Sequence, residues 1–211
     1  MNPQKYDVKR ALRSLYAPPA TDFVVVDVPP IIYVAIDGHG DPNTSDDYAL
    51  AVEALYSVAY GIKFGSKRAG RDFVVAPLEG LWFADDPEVF VARDKSAWSW
   101  TMLIAQPDWI SEGDVADAVA AVRAKAAPRS PNAALGLLRL RRIEEGRSAQ
   151  ILHVGPYDDE APTLARLHDE WLPAHGFTFN GPHHEIYLSD PRRAAPEKLR
   201  TILRQPVRPL G

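Results

Sequence analysis

Hydrophobic and polar positions along the chain follow two periods, and the changeovers between them mark the elements. Over residues 45–60, extended to Ile62, apolar side chains fall at Tyr48, Ala51, Val52, Leu55, Val58 and Ile62, three and four apart, which predicts a helix with a buried stripe. Thr44 or Ser45 can accept from its first free N–H groups, and Asp46 and Asp47 sit at the positive end of its dipole. Tyr56 and Tyr60 make another pair four apart, so more than one face is apolar. Residues 98–105 switch to period two, with Trp98, Trp100, Met102 and Ile104 on one face of a strand.

A second helix is predicted over 114–125, capped by Ser111, burying Val115, Ala118, Val119 and Val122 and ended by Pro128. A third, over 161–175, carries Leu164, Leu167, Trp171 and Leu172 on one stripe; Pro173 distorts its last turn and Gly176 stops it. Runs 135–142 and 148–154 read as a hairpin around Glu144-Glu145-Gly146, where glycine supplies a positive φ. The segment Pro128-Arg129-Ser130-Pro131-Asn132 reads as a connector.

The elements repeat. A strand at 31–36 ends at Asp37-Gly38, passes Asp41-Pro42-Asn43 into a helix and closes at Gly61-Ile62-Lys63-Phe64; a strand at 150–154 ends at Gly155-Pro156, enters a helix after Asp158-Asp159 and closes at Gly176-Phe177-Thr178-Phe179. This predicts a single α+β domain over 1–211 built of two modules, about 20–127 and 132–211, with helices on antiparallel sheets and a ligand cleft between the halves.

Composition narrows the function. The 211 residues are 46% hydrophobic with net charge −4 and scattered lysines and arginines, a balance that argues against nucleic acid as partner. There is no cysteine, which removes disulfides, thiolate nucleophiles and cysteine-held metals. The N-terminal residues show no apolar run of signal-peptide or membrane-spanning length, so a cytoplasmic protein away from membranes is expected.

Two glutamates interrupt otherwise apolar runs. Glu79 lies in Pro77-Leu78-Glu79-Gly80-Leu81-Trp82-Phe83 and Glu185 in His183-His184-Glu185-Ile186-Tyr187-Leu188, surroundings in which a carboxylate needs a partner or a task. Strand alternation puts Glu185 and Tyr187 on one face. A desolvated Glu185 can orient and deprotonate water, and a tyrosine hydroxyl, from Tyr187 or Tyr157, can stabilise a developing oxyanion. A pocket carboxylate that only pairs with a cation or a nearby His183 or His184 fits the same residues. Tyr48, Tyr56, Trp82 and Trp100 serve either as core or as stacking surfaces. His183-His184 lacks the further spaced ligands of a metal site, so neither metal nor cofactor is expected.

Four separated segments resemble the GyrI-like small-molecule-binding family: Ile36-Asp37-Gly38-His39-Gly40-Asp41-Pro42-Asn43, Pro77-Leu78-Glu79-Gly80-Leu81-Trp82, Gln150-Ile151-Leu152-His153-Val154-Gly155-Pro156-Tyr157, and His184 through Arg193. The resemblance implies two fused strand-helix-strand-strand modules (SHS2-like) with pseudo-two-fold symmetry about a pocket for planar aromatic ligands above an acidic residue, matched here by Glu185. It also implies a set of stand-alone hydrolases that open electrophilic cyclopropane rings of DNA-alkylating compounds. On that basis Glu185 and Tyr187 are the expected catalytic pair, and Glu79, Trp82, Trp100, Tyr48, Tyr56, Tyr157 and His184 the expected ligand contacts. The alternatives are a non-catalytic multidrug-binding protein and, as in other family members, a protein inhibitor of a larger enzyme.

Overall fold

The computed structural model describes residues 5–86, 89, 94–125 and 132–211, so the expected connector, Asn132 apart, lies outside the described residues. In chain order the elements are α1 (Val8–Ala11), α2 (Arg13–Tyr16), β1 (Val24–Val28), β2 (Ile31–His39) and α3 (Asp46–Arg68). There follow β3 (Leu78–Phe83), β4 (Ser99–Gln106), α4 (Glu112–Lys125), β5 (Arg139–Ile143) and β6 (Gly146–Val154). The chain then forms α5 (Ala161–Ala165), a π-helical segment (Arg166–Trp171), α6 (Leu172–Ala174), β7 (Phe177–Phe179), β8 (His183–Tyr187) and β9 (Arg200–Pro209).

The fold is α+β and divides into two compact units, Met1–Ala11 with Ile31–Ile143 and Leu12–Pro30 with Glu144–Gly211. These bounds differ from 20–127 and 132–211 because β1 belongs with the later half of the chain: it pairs antiparallel with β6, Val24 opposite Gln150. The expected hairpin around Glu144-Glu145-Gly146 does not form. The first run is a strand only from Arg139, since Leu135 and Gly136 close a short 3-10 helix, Ala133–Gly136; the second run lies within β6; and β5 pairs with β2, β6 with β1 and β9. Gly146 does take the positive φ, 65°.

In the first unit the strand order is β3-β4-β2-β5, in the second β8-β9-β6-β1, with β7 added to the end of β9. Each order places the repeat's second, third and first strands side by side and adds an edge strand from outside the repeat. The duplication seen in the sequence is therefore a duplication of sheet topology.

Helix α3 is longer than its apolar stripe predicts. Ser45 Oγ accepts from the Tyr48 N–H at its start, but the chain runs through Gly61 to Arg68. Gly61 marks a close helix crossing: a Cβ there would lie 3.2 Å from the Ala118 Cβ of α4. The true stop is Gly70 at φ 86°, where Gly70 N–H reaches Lys67 O and Arg71 N–H reaches Ser66 O in the Schellman pattern. At the start of α4, Ser111 Oγ accepts from the Asp114 N–H, and the Asp114 carboxylate accepts in return from the Ser111 N–H.

The helical stretch 161–174 of the second unit is not uniform. Leu172 N–H reaches back five residues to Leu167 O, and Pro173, which has no N–H to offer, follows at once. Its apolar stripe still does what the spacing predicts. Leu167 and Leu172 are buried with Phe23, Ala149, Ile151, Leu203 and Val207, and Leu164 and Trp171 pack against them.

The other face of this sheet carries a charge network. His184, Arg204 and Gln150 lie directly opposite one another on β8, β9 and β6. Arg204, 1% exposed, donates to Gln150 Oε1 (3.0 Å), Glu145 Oε2 (3.0 Å) and the Leu15 carbonyl (2.9 Å). His184 Nδ1 is 2.8 Å from Glu145 Oε1, and Gln150 donates to the carbonyl of Ser14 in α2. Burial alone raises the Glu145 carboxyl, but His184 and Arg204 overcome that and hold it at about 2.

Replacing Arg204 with methionine strands the Glu145 charge and is expected to cost about 3–5 kcal/mol in urea unfolding. Glu145 titrates below its unfolded value, so its stabilisation is complete above about pH 4.5 and is lost as the pH falls toward 2. Acid unfolding of Glu145→Gln, followed by circular dichroism, should accordingly depend less on pH across that window.

Candidate functional site

The second unit assembles a carboxylate site at the front of its helix. Strand alternation on β8 turns His183, Glu185 and Tyr187 one way and His184 and Ile186 the other. Glu185 stands opposite Leu203, which packs on Leu167 and Leu172, so it faces the side of the sheet that the helix covers. His184, expected among the ligand contacts, lies on the opposite face in the buried network with Glu145 and Arg204.

Glu185 has a neighbour near each oxygen. The Tyr187 hydroxyl donates to Oε2 at 2.7 Å, and His183 Nε2 lies 3.6 Å from Oε1. Burial, then the neighbouring His168 and His184, depresses His183 to about 3, so this contact is between a carboxylate and a neutral imidazole. The Tyr157 ring meets the Tyr187 ring edge-on at 5.7 Å and is 39% exposed, whereas the Glu185 side chain is 15% exposed. A tyrosine pair thus leads from solvent to the carboxylate.

Glu185 acts electrostatically on a residue that sequence reasoning passed over. Glu160, at the entry to α5, is 4% exposed, and its Oε1 has no hydrogen-bond partner. Burial first, and the Glu185 charge second, push its carboxyl up to about 9; the Thr201 hydroxyl works the other way. In the sequence it is the last of three acids at a helix start, and its neighbours Asp158 and Asp159 are exposed. Charge patterning assigns all three to the helix dipole, and only the packing sets Glu160 apart.

The remaining candidates belong to the first unit. Trp82 and Trp100 are cross-strand partners, and Tyr48 of α3 lies on both, at 6.4 Å and 5.2 Å between ring centroids. Trp98 joins them at 5.7 Å from Trp82. These rings fill α3's side of the sheet: a Cβ at Gly38 would lie 2.1 Å from the Trp100 ring. Tyr56 is half-buried farther along α3.

Glu79 is fully buried opposite Leu103, and alternation from Trp82 turns it to the sheet face away from α3. Glu79 and Glu185 therefore occupy corresponding strands but lie on opposite faces relative to their own helices. A separate open groove of about 570 Å³ in this unit is lined by Lys5, Asp7, Arg10, Arg71, Asp72 and Trp109 among others, and its charges alternate in sign. Among the described residues, no group of three His, Cys, Asp or Glu side chains is arranged to hold a metal ion, and no helix is long and apolar enough to cross a membrane.

Because His183 is held neutral far below the ordinary histidine range, its ring resonances should stay in their neutral-form positions from pH 8 to pH 5 in an NMR titration.

Comparison with known proteins agrees with this architecture. The model of the GyrI-like small molecule binding domain matches residues 21–208. A crystal structure of an uncharacterized conserved protein from Listeria innocua is 38% identical, with a TM-score of 0.86 over 97% of this chain and 100% of that one. A crystal structure of a hydrolase from Listeria innocua is 37% identical over the same shares, with a TM-score of 0.82. The C-terminal domain of EcmrR, at 11% identity and a TM-score of 0.56 over 89% of this chain and 98% of that one, shares the fold alone. A search of curated proteins found no match. Match, topology and coverage together place this chain in the GyrI-like small-molecule-binding domain family.

Proposed function

We propose that this protein is a hydrolase that opens electrophilic cyclopropane rings in planar aromatic compounds, with Glu185 as the acid/base. The observation that carries this reading is the half-buried Glu185 carboxylate, oriented at 2.7 Å by Tyr187 and flanked by neutral His183. The likeness to a Listeria innocua hydrolase at 37% identity over nearly the whole chain supports the reaction class. The cyclopropane substrate and a protective, detoxifying role rest on the family resemblance of the motifs.

The chemistry needs only groups of this kind. Water forms a bond to a ring carbon and gives its proton to Glu185 Oε1. The ring C–C bond breaks, and its electron pair passes into the conjugated acceptor, whose oxygen becomes an oxyanion and then takes up the proton that Glu185 received, leaving Glu185 ionised for the next turnover. As Glu185 gains its proton, the Tyr187 hydroxyl is released from the carboxylate and can donate to that oxyanion. Tyr157, the most exposed ring of the site, offers a stacking surface for a planar substrate. In this reading Glu79 and the Tyr48, Trp82 and Trp100 rings shape the first unit.

Purified protein given excess cyclopropane-bearing alkylator should yield the ring-opened alcohol over many turnovers. Glu185→Gln should lower kcat by roughly 10²–10⁴, and Tyr187→Phe by a smaller factor. Conversion that stops at one equivalent, or binding without conversion, identifies a sequestering protein instead. Full turnover by Glu185→Gln would discard the mechanism and leave the reaction class standing.

A further inference from the structure

Helix α3 buries one face, and the face opposite has an order of its own. Ala51, Ala54, Leu55, Val58, Ala59 and Ile62 point inward. At about 100° per residue, the direction away from them is held by Glu53, Tyr56, Tyr60, Phe64 and Lys67, all within about 40° of one line. Tyr60 and Phe64 are 47% and 51% exposed, with their ring centroids 6.3 Å apart. Glu53 and Lys67 are exposed as well, and Tyr56 is half-buried. Lys63, beside this line, is committed to Asp72 and to the Phe73 carbonyl, so Lys67 is the cation that closes the stripe.

An exposed aromatic pair does not by itself say what covers it; the residues on either side of this one do. The stripe reads alike from both ends. Tyr60 is its middle, Tyr56 and Phe64 lie four residues before and after, and Glu53 and Lys67 seven before and after, each about 10 Å along the axis from Tyr60. Such a line complements itself only when a second copy is laid on it antiparallel. Tyr60 then meets its own counterpart on the two-fold axis, Phe64 meets Tyr56 of the second copy, and Glu53 meets Lys67 of the second copy at both ends. A parallel copy would set Glu53 against Glu53 and Lys67 against Lys67, which repel. The ends of the helix favour the same direction: Asp46 and Asp47 open it and Lys67 and Arg68 close it, so antiparallel copies place the acidic end of one beside the basic end of the other.

We infer that this face of α3 is an antiparallel, two-fold helix–helix interface between two copies of this chain, centred on Tyr60, in which the aromatic rings supply the contact and two Glu53–Lys67 pairs fix its direction. One helix face from each copy is a small interface, under the roughly 1,200 Å² of a stable complex, and its ion pairs lie at the rim. The dimer is therefore weak and forms with rising concentration. None of these residues belongs to the carboxylate site, so the dimer stands or falls apart from the hydrolase reading.

Sedimentation velocity of the full-length protein, from micromolar to near-millimolar concentration, should show monomer passing into dimer. Glu53→Lys and Lys67→Glu, each alone, turn both attractions into repulsions and should weaken the dimer by roughly tenfold. Phe64→Asp should remove it over the whole range. The two charge variants mixed in equal amounts should recover the dimer as a heterodimer, because every cross-pair is again opposite in sign, and the double variant Glu53→Lys/Lys67→Glu should dimerise like wild type. Unchanged circular dichroism and thermal unfolding of each variant, expected at exposed positions, exclude misfolding as the cause. Wild type that stays monomeric throughout overturns the interface, as does a dimer indifferent to Phe64→Asp and to both charge reversals. Weakening by the single reversals with no recovery in the mixture or the double variant overturns the antiparallel pairing and the proposal with it.

Discussion

The buried Arg204 guanidinium sets the terms for the second unit. It satisfies a side chain on β6, the Glu145 carboxylate and the Leu15 carbonyl, and Glu145 in turn holds His184 of β8. A strand of period two has only two registers to choose between, and this network chooses. A slip of one residue on β8 would bring Glu185 toward the arginine and carry His184 under the helix. With Arg204 satisfied as it is, His183, Glu185 and Tyr187 are committed to the helix-covered face, where the carboxylate site forms.

Two buried carboxyl groups in this unit answer burial in opposite ways. Glu145 has a guanidinium and an imidazole beside it and stays charged; Glu160 is pushed up to about 9 by burial first and by the Glu185 charge second. Their effects on folding run in opposite directions. Glu145 adds stability as the pH rises above the acid range, whereas Glu160 withdraws it as the pH climbs from about 4.5 toward about 9, because the unfolded chain gives up that proton first.

Much of this architecture was legible in the chain. The stripe Leu164, Leu167, Leu172 reports burial directly, since side-chain period and buried face are the same fact in a helix, whereas β4 is a strand as its alternation predicts but is buried on both faces, Thr101 and Leu103 as fully as Trp100 and Met102. The repeat was legible for the same reason. What escaped was whatever depends on a partner distant in sequence. Gly61 resembles a helix stop but serves a crossing with Ala118. Glu144-Glu145-Gly146 resembles a hairpin turn, yet its flanking strands pair with β2 on one side and with β1 and β9 on the other. Glu79 and Glu185 look alike along the chain and face opposite ways, and Glu160 is distinguished from Asp158 and Asp159 only by what covers it.

The place of β1 has a consequence for how the chain is made. This strand emerges from the ribosome early, but its pairing partner Gln150 and the rest of β6 follow only after the whole first unit has been synthesised. The first unit can close on itself meanwhile, whereas β1 waits as an open apolar edge, Val24-Val25-Val26, that any other strand can recruit. The valine run is interrupted by Asp27, a charge on the exposed face of the strand, and Pro29-Pro30 ends the segment, two features that shorten the edge and discourage pairing with a stranger. Completion of the second unit, and of the carboxylate site within it, is thus a late event of synthesis.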